Sequence, residues 1–256
     1  LVLKEVLRVE KGKTNTKKEF LDAFVESQDF EYYLYAFWNS PFIFDNYLKD
    51  GFSNSIVKKI DKISESNIKN SDILDALKYL NAIKNRRSKD WEEYYRLNES
   101  INTIKKWQYC GPFENLNESG LDRIYGPETI SNSAQPFSAE SNGFLNWYTS
   151  SSVKDAYQFY SNQSEYGSGV HYAQTFIESE EAQDIIVRIG SGSAFQVFLN
   201  DVNVYENTED VKTELNAYKF KIKLPSGNNR LLIKTAESNS TSYFIVGLTD
   251  SNGLPL

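Results

Sequence analysis

The sequence predicts an α+β protein with an N-terminal α-helical domain followed by an antiparallel β-sandwich of jelly-roll type. In the first part of the chain apolar residues recur at helical spacing, as in the stripe Ile73, Leu77 and Leu80. Towards the C-terminus they alternate with polar residues, most clearly in YKFKIKL at 218–224. No helix-length apolar pattern interrupts the strands around that segment, which argues against parallel crossovers and favours an antiparallel sandwich.

Residues 1–100 are predicted to form the helical domain. Ser71 and Ser88 are the expected N-caps of its last two helices, and Thr16 with Glu19 forms a capping-box pattern before the first. Short polar turns join the helices, so we expect antiparallel hairpins similar to those of tetratricopeptide repeats, although no repeat period is visible. The expected helices cover about residues 17–27, 30–38, 42–50, 54–65 and 71–86, followed by one that carries Trp91, Tyr94 and Tyr95.

Residues 101–256 are predicted to form the β-sandwich. WQYCGPF at 107–113 is the expected first strand, and residues 114–144 are expected to form a long loop packed on the sheet, because Asn, Ser, Gly and Pro dominate them. Asn200-Asp201 is the expected tight turn of a hairpin, since both residue types adopt left-handed conformations. Further strands are expected in NWYTSS, in AYQFY, from Val170 through HYAQTFIES, and at 185–189, 194–199, 218–224, 230–235 and 243–248.

Charge and cysteine content restrict the partners and cofactors. The net charge of −7 and the pI near 5.0 argue against nucleic acid and anionic lipid, because both require a cationic face. No apolar run approaches the roughly 20 residues that a membrane helix needs, so membrane insertion is not expected. With one cysteine and one histidine, we predict no disulfide within the chain, no zinc site and no cofactor. The chain contains no methionine, so we expect that Leu1 is not a translational start.

Two patterns resemble catalytic or nucleotide-binding motifs, and neither is complete. Cys110 and His171 have the residue types of a thiol nucleophile and its base, but both lie in predicted strands beside large hydrophobic residues, which favours structural roles. Gly190-Ser191-Gly192 follows a strand, yet it lacks the third glycine and the helix of a dinucleotide-binding loop. We therefore predict no catalytic residue.

Acidic residues crowd one predicted turn, namely Glu178, Glu180, Glu181 and Asp184. A solvated turn is the favoured interpretation, because like charges this close are better hydrated than buried. A calcium site built from the four carboxylates is the alternative. We predict no metal site.

The aromatic residues are the main indication of a ligand. The 17 tyrosines and 4 tryptophans exceed what two cores require, and exposed rings stack against the apolar faces of sugars. Several of these rings cluster in a polar segment ahead of the strand series, where packing between domains is the alternative role. The predicted ligand-binding residues are Trp147, Tyr148, Tyr157, Tyr160 and Tyr166.

Two segments carry a family resemblance. WQYCGPFENLNESGLDRIYGPE at 107–128 resembles the W-x-x-x-G-P-F-x-N and G-x-D-x-x-Y-x-P-E signature of large bacterial envelope proteins that carry helical repeats, a β-sandwich and a transglutaminase-like domain. Residues 172–207 resemble jelly-roll modules related to the galactose-binding-like, sugar-binding domain of family 2 glycoside hydrolases, with Asn200-Asp201 where Asn-Gly is usual. The matching residues are Trp107, Gly111, Pro112, Phe113, Asn115, Gly120, Asp122, Tyr125, Pro127 and Glu128 in the first segment, and Gln183, Gly190, Phe198, Leu199 and Asn200 in the second.

The resemblance implies a non-catalytic binding or scaffolding module of a larger exported protein, located in the periplasm or at the cell surface. A glycan is the candidate ligand, and other domains of the same polypeptide or envelope proteins are the candidate macromolecular partners. A protein-interaction module without a small ligand is the alternative, and a glycosidase that uses a carboxylate pair is a third reading. None of the matched residues is a catalytic residue of the family.

Overall fold

The chain has an α+β structure with helices and several antiparallel sheets. The computed structural model describes residues 17–27, 30–39, 44, 48, 53–130, 135–140, 143–149, 155–160, 169–211, 213, 215–237 and 243–256. Its contacts divide the chain into two compact units, Leu1–Asn102 and Thr103–Leu256. Among the helices that are described, none combines the length and the apolar content that a bilayer crossing requires.

The first unit is helical. Its aromatic residues pack edge to face, as Trp38 does against Tyr79, with ring centroids 5.0 Å apart. The helix predicted over 42–50 lies mostly outside the described residues, as does Thr16 of the predicted capping box. The α-helices described in this unit are α1 (Lys17–Glu26), α2 (Phe30–Asn39), α3 (Ser53–Ile60), α4 (Ser71–Ser88) and α5 (Trp91–Glu99), and a 3-10 helix covers Glu65–Asn67.

The N-caps of α4 and α5 differ from the prediction. The side chain of Asn70 accepts a hydrogen bond from the backbone N–H of Asp72 at 2.8 Å and caps α4. Asp90 caps α5 in the same way. Ser71 and Ser88 are instead helical residues of α4. A cap requires non-helical backbone angles, and the residues that have them lie one position before Ser71 and two positions after Ser88.

The second unit contains the antiparallel sheets. Its strands are β1 (Gln108–Phe113), β2 (Phe137–Ser138), β3 (Phe144–Leu145), β4 (Tyr148–Thr149), β5 (Gln158–Phe159), β6 (Gly169–Ser179), β7 (Gln183–Ser191), β8 (Ala194–Leu199), β9 (Val202–Asn207), β10 (Tyr218–Leu224), β11 (Gly227–Glu237) and β12 (Tyr243–Asp250). A six-stranded sheet has the order β4-β1-β6-β11-β8-β9, a four-stranded sheet has the order β10-β7-β12-β5, and β2 pairs with β3.

The six-stranded and four-stranded sheets share one hydrophobic core. Ile185, Val187 and Ile189 project into it from β7, and Leu231 and Ile233 project into it from β11. These residues occupy alternate positions, as the period of a strand requires. Burying each such side chain contributes about 1.5–3 kcal/mol. The alternation that predicted the strands therefore identifies the face of each sheet that turns inward.

The turn between β8 and β9 confirms the predicted hairpin. Asn200 and Asp201 have φ angles of 49° and 68°, the left-handed region that a tight hairpin turn requires. The strand that follows, β9, was not among the predicted strands, because Asn and Glu interrupt its apolar positions.

The described residues of the segment 114–147, namely 114–130, 135–140 and 143–147, are named here the cover segment and pack on the outer face of the six-stranded sheet. The predicted loop at 114–144 contains a 3-10 helix at Leu116–Leu121, the short helix α6 (Gly126–Thr129) and the β2–β3 hairpin. A second hydrophobic cluster lies under the cover segment and includes Phe113, Tyr172 and Leu232. Both faces of the six-stranded sheet are therefore partly buried.

Candidate functional site

A buried cation fastens the cover segment to β11. The Nζ atom of Lys234 donates to the carbonyl oxygens of Leu121 and Arg123, each at 2.6 Å. It also donates to Oε1 of Glu128 at 2.8 Å. The side chain of Lys234 is 1% exposed, and burial lowers its pKa although Glu128 opposes that effect. An ammonium group has three N–H donors, and all three are used inside the protein.

Glu128 is the acceptor at the centre of this network. Besides Lys234, its Oε1 accepts hydrogen bonds from the backbone N–H of Tyr125 and from the hydroxyl of Tyr172. Burial and the nearby carboxylate of Glu128 raise the pKa of the Tyr172 hydroxyl, which stays protonated and donates. The Tyr125 hydroxyl donates to the carbonyl of Glu114. Tyr125 and Glu128, two residues of the 107–128 signature, thus make hydrogen bonds within the protein.

The glycines of the signature allow the cover segment to approach the sheet. A Cβ atom on Gly120 would lie 2.3 Å from Cγ2 of Val170. Asn115 holds the same turn, because its Oδ1 accepts from the N–H of Gly120 at 2.9 Å and its Nδ2 donates to the carbonyl of Glu237. We infer that the 107–128 signature fixes the cover segment.

A second network of side-chain hydrogen bonds begins at the buried Arg230 and extends to the surface. Arg230 is 5% exposed and donates to Pro127 O and to Asp201 Oδ1, each at 2.6 Å. Its Nε donates to Oε1 of Gln174 at 2.7 Å. Nε2 of Gln174 then donates to Oε1 of Gln108 at 2.9 Å. Asp201 of the β8–β9 turn thus pairs with the buried guanidinium group of Arg230.

At Gln108, this series of hydrogen bonds reaches the surface in a cleft of about 310 Å³. Phe176 is 46% exposed and offers the cleft an apolar ring, while Gln108 is exposed and offers it an amide. No carboxylate occurs among the described residues that line it. The lining residues are Lys105, Lys106, Trp107, Gln108, Tyr109, Thr149, Gln174, Thr175 and Phe176.

The predicted ligand-binding rings have other placements. Tyr157 and Tyr160 are buried, at 5% and 7% exposure, so they lack the free face that sugar stacking requires. They are core residues because Tyr157 packs edge to face on Tyr243 and Tyr160 packs on Phe244. This placement corrects the prediction that they are exposed.

Trp147 and Tyr148 are half-buried. Tyr148 packs on the ring of Tyr109 at 5.6 Å between centroids, and the Trp147 ring lies 5.9 Å from the guanidinium carbon of Arg230. A ligand-binding role for these two rings stays a prediction, and Tyr166 lies outside the described residues.

Gln108, Gln174 and Phe176 were not among the predicted site residues. A signal for two of them was present, because the alternation in β6 places Gln174 and Phe176 on the same face of the strand. Both residues line the cleft, and so does Gln108 of the neighbouring strand β1. Pairing of β1 with β6, which brings Gln108 opposite Gln174, could not be read from local patterns.

Cys110 and His171 are on opposite faces of the six-stranded sheet. Cys110 lies in the cluster under the cover segment, whereas His171 packs against Tyr160 on the side of the main core. Burial raises the pKa of the Cys110 thiol to about 12. This arrangement does not provide a thiolate with an adjacent base.

In the part of the chain that the structure describes, the carboxylates of the acidic turn do not form a group that could hold a metal ion. Asp184 instead pairs with Lys221, with 2.7 Å between Oδ2 and Nζ. The hydrogen bond with Lys221, together with its charge, lowers the pKa of Asp184. The remaining acids, Glu178, Glu180 and Glu181, lie at or close to the solvent-exposed β6–β7 turn, as expected for a hydrated group.

No protein-family model and no curated protein matches the chain. Solved structures give partial similarities. A β-glucosidase from Kluyveromyces marxianus aligns at 10% identity and a TM-score of 0.33, over 41% of this chain and 14% of that chain. A family 35 carbohydrate-binding module from Clostridium thermocellum aligns at 11% identity and a TM-score of 0.27, over 38% of this chain and 89% of the module.

An anti-sigma factor domain-containing protein from Clostridium clariflavum aligns at 8% identity and a TM-score of 0.37, over 60% of this chain and 44% of that protein. We infer no activity from these partial similarities. The transglutaminase-like part of the resemblance finds no matching family model and stays a prediction.

Proposed function

We propose that this chain is a non-catalytic binding module that recognises a glycan, within a larger exported bacterial protein of the periplasm or cell surface. The observation that supports this proposal is the cleft in which the exposed ring of Phe176 lies beside the exposed amide of Gln108, which the buried Gln174 holds in place. Sugar sites combine one apolar face with a few fixed polar groups. A cleft without a described carboxylate lacks the acid pair of a glycosidase.

The jelly-roll, galactose-binding-like classification of the sandwich belongs to the same proposal. From β4 to β12, consecutive strands lie in different sheets at every step except that from β8 to β9. Such repeated crossing between two antiparallel sheets is characteristic of jelly rolls. The export that the family resemblance implies agrees with a ligand found outside the cell.

A matched pair of phenylalanines tests the glycan proposal. Phe176→Ala removes the cleft ring, and Phe144→Ala removes a ring that is 74% exposed and does not line the cleft. We expect a glycan array to identify a ligand for the full chain. Phe176→Ala should then weaken its binding about five- to tenfold, because a ring stack contributes about 1 kcal/mol. Phe144→Ala should bind as the parent does, and both variants should unfold within about 0.5 kcal/mol of it.

A blank array would reject the glycan proposal, and so would unchanged binding by Phe176→Ala. One observation favours a protein-interaction module in that case. Leu116, Ile124 and Phe144 of the cover segment are apolar and between 58% and 75% exposed. Substituting these residues should then weaken association with the partner, whereas Phe176→Ala should leave that association unchanged.

A further inference from the structure

The amides at the cleft have a fixed order of donors and acceptors. An arginine can only donate, so the atom of Gln174 that faces Arg230 Nε must be its oxygen. The Nε2 group of Gln174 is thereby turned towards Oε1 of Gln108. Since that oxygen is engaged, the Nε2 group of Gln108 remains to contact a ligand. The hydrogen bonds that start at Arg230 therefore present the Nε2 donor of Gln108 to the cleft.

The charges around the cleft agree with this polarity. Lys105 and Lys106 line it, with no acidic residue among the described lining residues. The Nζ atom of Lys105 donates to the carbonyl oxygen of Thr103 at 3.1 Å, whereas Lys106 is exposed. The chain as a whole has a net charge of −7, so this local excess of cations departs from the general surface. Ammonium groups and amide N–H groups both bind acceptor atoms, and negatively charged acceptors bind them most strongly.

We propose that the cleft selects glycans that carry a negatively charged group, a carboxylate or a sulfate, and that Arg230 is a positioning residue that fixes Gln108 as a donor. This inference rests on the proposed function, because it names the class of glycan for the same cleft. Phe176 stacks on the sugar ring, and Gln108 with Lys106 holds the anionic group.

Three oligosaccharide probes test the selectivity in calorimetric titrations of the full chain: an oligogalacturonate, its fully methyl-esterified form and a sulfated oligosaccharide of equal length. We expect at least one anionic probe to bind about tenfold more tightly than the neutral ester, with a preference that shrinks as salt is added. The two anionic probes distinguish carboxylate from sulfate recognition. Equal binding of the neutral and anionic probes overturns the inference and leaves the proposed function standing, whereas no binding of any glycan overturns both.

Gln174→Glu tests the positioning role of Arg230. The glutamate keeps the shape of Gln174 and still accepts from Arg230, so the variant retains the buried partner of that guanidinium. Its other oxygen accepts from Nε2 of Gln108, which turns the Gln108 oxygen to the cleft. We expect the preference for the anionic probe to fall about tenfold, with binding of the neutral ester within about twofold of the parent.

Two lysine variants complete the experiment. Lys106→Ala removes a cleft cation and should weaken binding of the anionic probe alone. Lys223→Ala removes an exposed cation from β10 of the other sheet and should change nothing. If Gln174→Glu weakens both probes equally, its effect is structural and the positioning role of Arg230 is overturned. Retention of the full preference by Gln174→Glu overturns it as well.

Discussion

Breaking the ion pair between Lys234 and Glu128 is expected to destabilise the sandwich strongly. The two side chains are 1% and 9% exposed, and Nζ and Oε1 are 2.8 Å apart. Glu128→Gln leaves an uncompensated buried ammonium, and Lys234→Met leaves a buried carboxylate and two backbone carbonyls without their donor. Removing one partner of a buried pair costs about 3–5 kcal/mol, so we expect each single variant to lose that much of the free energy of unfolding.

The double variant separates the ion pair from the rest of the network. With both charges removed, the remaining cost comes from the carbonyls of Leu121 and Arg123, at about 1–3 kcal/mol for each unsatisfied buried group. We therefore expect Lys234→Met with Glu128→Gln to cost about 3 kcal/mol less than the sum of the two single variants. Groups in direct contact show coupling of this size.

Native-state hydrogen exchange in β6 and β11 is the suitable assay, because it reports the sandwich unit without interference from the helical unit. The parent, both single variants and the double variant are compared under identical conditions. Additive costs, within about 0.5 kcal/mol, would refute the reasoning, because they would mean that the two charges do not interact. A single-variant cost below about 1 kcal/mol would show that water reaches the site.

Three further outcomes are expected. Gly120→Ala should lower the free energy of unfolding by about 3 kcal/mol, because its Cβ would overlap Val170. Gly143→Ala, with φ of 77° and open space around the Cβ, should cost clearly less, about 1 kcal/mol. Equal costs of the two variants in urea unfolding would contradict the contact at Gly120. The Cys110 thiol has its pKa raised by burial from 9.0 to about 12, so the stability it contributes is complete below pH 9 and is lost as the pH rises towards 12. In the Cys110→Ala variant, the free energy of unfolding should fall less steeply between pH 9 and 10, by at most about 1.4 kcal/mol per pH unit. An unchanged slope would show that the Cys110 thiol does not cause the loss of stability at alkaline pH. Tyr157→Ala should cost about 3–5 kcal/mol by chemical unfolding, as for a core aromatic, and a parent-like midpoint would show that the ring is dispensable to the core.

The strands were predictable because their period is local. In β10, for example, Ile222 and Leu224 are buried between exposed lysines, as the alternation required. The N-caps were less predictable, since Ser71 and Asn70 are both good caps and the choice depends on where the backbone leaves the helical region. The inward placement of Tyr157 and Tyr160 was not predictable from composition, because a polar neighbourhood in sequence does not reveal which strand edge a ring packs against.

The candidate site was harder to predict than the fold, because its residues come from strands that are distant in sequence. Gln108 and Gln174 are joined by the pairing of β1 with β6, and Arg230 reaches them from β11. A hydrogen bond such as that between Arg230 and Gln174 links residues 56 positions apart. Local patterns carry no information on such pairing, which follows from the order of strands in the sheet.

The outer face of β11 contains two buried cations with different consequences. Lys234 uses its three donors on the cover segment and on Glu128, so its network closes inside the protein and fixes the cover segment to β11. Arg230 also binds the cover segment, through Pro127, but its network continues through Gln174 to the exposed amide of Gln108. A polar network that ends in an exposed donor can bind a ligand, whereas a closed one cannot. The signature at 107–128 therefore supports the cleft indirectly, by holding the cover segment against which Arg230 is oriented.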